Sequence, residues 1–187
     1  MKKTFLAAMA LIVAFSFSAC EVLEPTKEEL LTQKNGWIML TATSNPAYEN
    51  NDGIKSENLF VSYFDACELD DVLYFHTDKS SFMHYGKLSC EWDEAGDKVS
   101  LGNWRFIKDE EVLEFHLPFL FDENDNFALL EGKVIVLDKN TLQLRIPVTF
   151  DDDPAKSSNR RGRVVKTIPA GSKIEPQFQW TITYRVN

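Results

Sequence analysis

Apolar and polar residues alternate along much of the chain. Over residues 141–150, Leu142, Leu144, Ile146, Val148 and Phe150 fall on one face, and Thr141, Gln143, Arg145 and Thr149 on the other. One apolar face at period two predicts a strand half-buried in a sheet. Residues 177–186 repeat the scheme, with Phe178, Trp180, Ile182, Tyr184 and Val186 set against Gln179, Thr181, Thr183 and Arg185. Residues 127–137 form a longer apolar strand, which Asp138, Lys139 and Asn140 turn into the next. Pro147, on the polar face, marks an edge-like or bulged point, because it cannot donate to a ladder.

Upstream the signals are shorter. Residues 37–43 alternate weakly, 72–77 and 82–85 flank a polar turn, and 104–107 and 112–117 flank another. About eight strands follow one another through tight turns, with at most one short helix, expected within residues 59–66 if that stretch is not an irregular strand. Sequential antiparallel strands must deal with open edges, and closing the sheet removes them. The expected fold is therefore all-β, an antiparallel up-and-down barrel, with an open sandwich as the alternative.

Residues 1–20 have a different character. Met1-Lys2-Lys3 is a cationic start, an uncharged apolar run follows, and the stretch closes on Phe17-Ser18-Ala19-Cys20. That order is the pattern of a secretory signal, and the run is too short to span a bilayer as a helix. The small-small-Cys ending resembles the lipobox of bacterial lipoproteins. It implies that Cys20 is acylated and becomes the mature N-terminus, with Phe17 in place of the usual aliphatic residue. The expected organisation is a signal peptide at 1–20, a tether at 21–29 and a barrel domain at 30–187.

Charge narrows the partners. The chain carries 20 Lys and Arg against 29 Asp and Glu, a formal charge of −9. Loss of residues 1–20 would remove two of the lysines and no acid. Such a surface is unsuited to nucleic acid, whose phosphates need clustered cations. Cys67 and Cys90 remain once Cys20 is assigned. An extracytoplasmic compartment permits a disulfide between them, while two free buried thiols or a metal site are the alternatives.

Candidate chemistry is sparse. Residues 122–126 begin like a calcium loop, but Phe127 stands where Gly is needed and Lys133 where Glu is needed. Neither a phosphate loop nor a nucleophile elbow is present. His76 and His84 lie on paired strands and would approach one another only across a loop of odd length. His116 and Glu114 share a face expected to meet water. Asp65, Glu68, Asp70 and Asp71 surround Cys67 and read as a solvated loop in which carboxylates shape turns. Residues 151–173 form an unusually long connection, with three acids ahead of Arg160, Arg161 and Arg163. No catalytic residue, metal or cofactor is expected, and no enzymatic activity.

The aromatic residues are the least ordinary feature: fourteen Phe, five Tyr and four Trp. In a closed barrel the apolar faces point inward, so Leu113, Phe115, Leu117, Leu144, Ile146, Phe150, Trp180, Ile182 and Tyr184 should line the interior. A barrel of this size is filled by side chains or holds one small ligand. Phe115, Phe150, Trp180 and Tyr184 are the candidate ligand contacts.

The layout also resembles a known group. Asn35-Gly36-Trp37 opens the first strand, and Cys67-Glu68-Leu69-Asp70-Asp71 precedes Leu73-Tyr74-Phe75, with Cys90 beyond. Gly102-Asn103-Trp104 and Leu113-Glu114-Phe115 follow. Together these are similar to the lipocalin-like domain lipoproteins of Bacteroidota-type bacteria, over residues 30–187. The resemblance implies a small antiparallel barrel, a Cys67–Cys90 crosslink and an outer-membrane lipoprotein, periplasmic or surface-exposed. In lipocalins proper one residue separates the Gly from the Trp, and that Trp packs against an Arg from the last strand. Here Arg185 is the matching candidate for Trp37.

Two functions are expected on these grounds. One is a lipid-anchored, monomeric barrel that binds a small apolar or amphipathic ligand. The other is a non-enzymatic module that docks an envelope protein or glycan through its loops.

Overall fold

The computed structural model describes residues 24–88, 90, 96–121, 126–150 and 175–187. The signal segment, Cys20, most of the calcium-like stretch and the long connection at 151–173 lie outside these residues. Ten strands and two short helices make up the described chain. In order they are α1 (Lys27–Leu31), β1 (Trp37–Glu49), β2 (Lys55–Asn58), α2 (Leu59–Ser62), a 3-10 turn (Ala66–Glu68), β3 (Val72–Phe75), β4 (Ser80–His84), β5 (Lys98–Asn103), β6 (Arg105–Ile107), β7 (Val112–Phe121), β8 (Phe127–Leu137), β9 (Thr141–Val148) and β10 (Phe178–Val186).

All the strands belong to one sheet in the order β5-β4-β3-β1-β10-β9-β8-β7-β6, and β2 pairs separately with β1. The pairing is antiparallel throughout. The two ends of that order, β5 and β6, are consecutive in the chain. Lys98–Asn103 pairs with β4 and Arg105–Ile107 with β7, so a single run of backbone leaves one edge and joins the other. This change of partner nearly closes the sheet into a barrel, as the alternating faces led us to expect. Trp104 stands at the crossing, almost fully buried. Its backbone N–H donates to the Lys79 carbonyl at 2.8 Å and its indole N–H to the His76 carbonyl at 3.0 Å.

The differences from expectation are local. β2 is polar along its whole length and carries no apolar alternation, and β5 shows it only at Val99 and Leu101. There are two short helices where at most one was expected. α1 begins at Lys27, inside the stretch assigned to the tether, and is fixed by a capping box between Thr26 and Glu29. Leu31 at its end is fully buried.

The barrel has two unlike ends. At one, Trp37 pairs with Val186 and Leu73, and Val112 with Ile107. Tight turns at 76–79, 108–111 and 138–140 finish the strands here, and α1 packs below them. The Trp37 indole N–H donates to the Leu31 carbonyl at 2.8 Å, which is what holds this Trp. Arg185 does not stack on it. Alternation sends Trp37 inward and Arg185 outward beside Ile38, and the cation over a Trp at this end is Lys79 on Trp104, 4.3 Å from the ring centre.

The longer connections leave from the other end, where Phe178 pairs with Val148, Phe121 with Phe127 and His84 with Lys98. The expected crosslink is here. Cys67 and Cys90 are disulfide-bonded, their Cα atoms 5.5 Å apart. Carboxylates reinforce it. Asp71 accepts the Gly86 N–H at 2.8 Å and Asp70 the Lys87 N–H at 2.7 Å, while Glu68 accepts the Asp65 N–H at 2.8 Å. The carboxylates of Glu68, Asp70 and Asp71 thus bind backbone amides, and Asp70 and Asp71 fasten the segment after α2 to the β4–β5 connection.

Candidate functional site

The interior is built by the inward faces that the alternation defines. Leu113, Phe115, Leu117, Leu144, Ile146, Phe150, Trp180, Ile182 and Tyr184 are all buried, as expected. Its middle is densely filled. A methyl group placed on Gly132 would touch Phe115, Leu144 and Ile146 at 3.4–3.5 Å, and Phe115 on β7 reaches Phe75 on β3, 6.1 Å between ring centres, so these side chains form a packed layer across the barrel.

Beyond that layer, toward the end with the longer connections, aromatic rings gather. Trp180 lies 4.8 Å from Tyr63, 5.9 Å from Phe150 and 6.3 Å from Phe64 between ring centres. Phe64 stands edge-on to Phe119 at 4.6 Å. Tyr48 contacts Tyr63, Phe150 and Phe178 at 5.4–5.6 Å. Most of these pairs are edge-on or tilted, as the ring quadrupoles favour. The segment that follows α2 supplies Tyr63 and Phe64 and lies across this mouth. The Tyr63 hydroxyl donates to the Phe119 carbonyl at 3.1 Å.

The four candidate ligand contacts are therefore not one group. Phe150 and Trp180 meet in the mouth. Phe115 belongs to the filled layer, 6.1 Å from Phe75. Tyr184 lies deeper, in register with Leu142 and Met39. Tyr48, Tyr63, Phe64, Phe119 and Phe178 were not on that list. Tyr48 lies past the expected end of the first strand, and Tyr63 and Phe64 lie where no period was assigned. The three- and four-residue spacing of Phe60, Tyr63 and Phe64 was the available sign of one apolar helical face.

Among the described residues, two polar atoms of the apolar interior have no hydrogen-bond partner: the indole N–H of Trp180 in the mouth and the hydroxyl of Tyr184 deeper in the barrel. Trp180 is 0% exposed and Tyr184 3%. Burial pushes the Tyr184 phenol well above its ordinary pKa, so it stays protonated and remains a donor. Leaving such a donor unsatisfied costs about 1–3 kcal/mol.

The histidines are engaged elsewhere. His76 and His84 do not meet; His76 packs on Phe82 and His84 on Tyr74, each at 4.9 Å on the outer wall. His116 Nδ1 lies 2.8 Å from the Phe127 carbonyl, to which it must donate. Glu114 does not simply face water, because Arg105 holds it at 2.6 Å across the β6–β7 pair. Among the described residues no three of His, Cys, Asp and Glu converge on a possible metal position. No described helix is long and apolar enough to cross a membrane.

Fold and site together define a small, nearly closed antiparallel barrel, plugged by α1 at one end and roofed by aromatic rings at the other. No protein-family description, curated protein or solved structure matches this chain.

Proposed function

We propose that this chain is a lipid-anchored envelope protein whose barrel mouth binds a small apolar or amphipathic molecule. The observation that supports the reading best is Trp180: an indole N–H, fully buried and without a partner among the described residues, on a ring packed against Tyr63, Phe64 and Phe150. Ligand sites in small barrels combine apolar walls with a few polar groups that fix orientation. On this reading Phe150 and Trp180 contact the ligand directly, and the Tyr63–Phe64 segment covers it. The anchor is an acyl group on Cys20, which follows the signal-like residues 1–19 and attaches the domain to the outer membrane.

Native mass spectrometry of the protein without residues 1–20 tests the binding half. A bound small molecule, lost in Trp180→Ala while the fold persists by circular dichroism, is the expected result. Wild-type protein that remains ligand-free when purified from its own membranes would refute it. Labelled fatty acid incorporated into wild-type protein but not into Cys20→Ser tests the anchor.

A further inference from the structure

The interior discriminates by charge as well as by polarity. Among the described residues the fully buried polar side chains are three serines, and no Asp, Glu, Lys, Arg or His is buried. Each serine already donates to a carbonyl: Ser44 to Pro46 at 2.8 Å, Ser81 to Gly102 at 3.1 Å and Ser62 to Asn58 at 3.4 Å. What remains unspent is the Trp180 N–H and the Tyr184 O–H. They lie on the same inward face of β10, four residues and hence about 13 Å apart along the strand.

Among the described residues, an ionised headgroup finds no buried counter-charge in this space. Burying a carboxylate or ammonium without one is far more costly than burying a neutral carbonyl, which needs a single hydrogen bond. The free Trp180 donor beside the apolar walls of the mouth matches an acceptor oxygen that bears no charge. Resting on the binding proposal above, we infer that the ligand is an uncharged apolar molecule carrying a carbonyl or ester oxygen, which the Trp180 N–H binds, and that ionised fatty acids are rejected.

Three probes of equal chain length separate the contributions: methyl decanoate, decanoate and decane, measured by equilibrium dialysis at pH 8 against the protein without residues 1–20. Methyl decanoate should bind at least about tenfold more tightly than decanoate. Its affinity should fall several-fold in Trp180→Phe, a substitution that keeps the ring and removes the donor, while decane should bind both proteins equally. Decanoate binding as well as the ester, or an ester affinity unchanged in Trp180→Phe, overturns the charge inference and leaves the binding proposal standing. Failure of all three probes to bind overturns both.

Discussion

Gly102 lies directly beneath the imidazole of His116, at the seam where β5 runs past β7 without a shared ladder. A methyl group on Gly102 would stand 3.2 Å from His116 Cδ2 and 3.3 Å from Nε2, and the backbone there has φ +109°. That region is open to glycine and strained for other residues. His116 cannot easily retreat, because its Nδ1 is bonded to the Phe127 carbonyl.

Gly102→Ala should therefore destabilise the fold by about 1–3 kcal/mol, from backbone strain together with the crowded ring. Urea unfolding at neutral pH reads this as a lower midpoint at constant slope. An unchanged midpoint would mean that the seam tolerates the displacement.

The Cys67–Cys90 bond closes a loop with a sequence separation of 23. On the chain-entropy account this contributes about 3 kcal/mol. Replacing both cysteines with serine should lower the midpoint accordingly and accelerate proteolysis between residues 59 and 97. Part of the order should survive, since Asp70 and Asp71 still bind the Lys87 and Gly86 amides. A double variant as stable as the wild type would show that these carboxylates suffice.

Tyr184→Phe should raise the stability of the ligand-free protein by up to about 1 kcal/mol, because it removes a buried hydroxyl that nothing satisfies. The same residue gives an alkaline signature. Its pKa is raised in the folded state, so its contribution to stability is complete below the ordinary tyrosine value near 10 and is lost as pH rises toward the folded value. The ultraviolet absorbance of tyrosinate should show a late ionisation that coincides with unfolding, and Tyr184→Phe should reduce its amplitude.

Asp78 supplies an acid-side counterpart. Its carboxylate accepts the Ser80 hydroxyl at 2.6 Å and the Ser80 N–H at 2.9 Å, which lowers its pKa. The stabilisation is present above the unfolded value near 3.9 and disappears as pH falls through the lower folded value. NMR titration should place the Asp78 midpoint below that of an unstructured aspartate, and Asp78→Asn should flatten the acid limb of the stability curve. A normal midpoint would remove the β3–β4 turn from the pH response.

How far the chain declares itself can be judged residue by residue. The inward placement of Leu144, Ile146, Trp180 and Ile182 was legible, because a strand's two faces are written in its own alternation and need no knowledge of neighbours. β2 was not legible: Lys55, Ser56, Glu57 and Asn58 are held by pairing with β1, and no apolar face records that. The mouth was half legible. Phe150 and Trp180 came from strand periodicity, whereas Tyr48, Tyr63 and Phe64 come from a strand end and a loop.

The sequence alone therefore determined the element type and the inward face of the long strands, since both follow from a local period of two and the exclusion of water from one side. The tertiary structure decided what depends on distant partners: the strand that changes edges at Trp104, the stapled segment over the mouth, and the isolation of Trp180 and Tyr184 from any acceptor among the described residues. Those outcomes arise from which surfaces meet when the sheet curls, and pairwise contact across the barrel leaves no periodic trace in the chain.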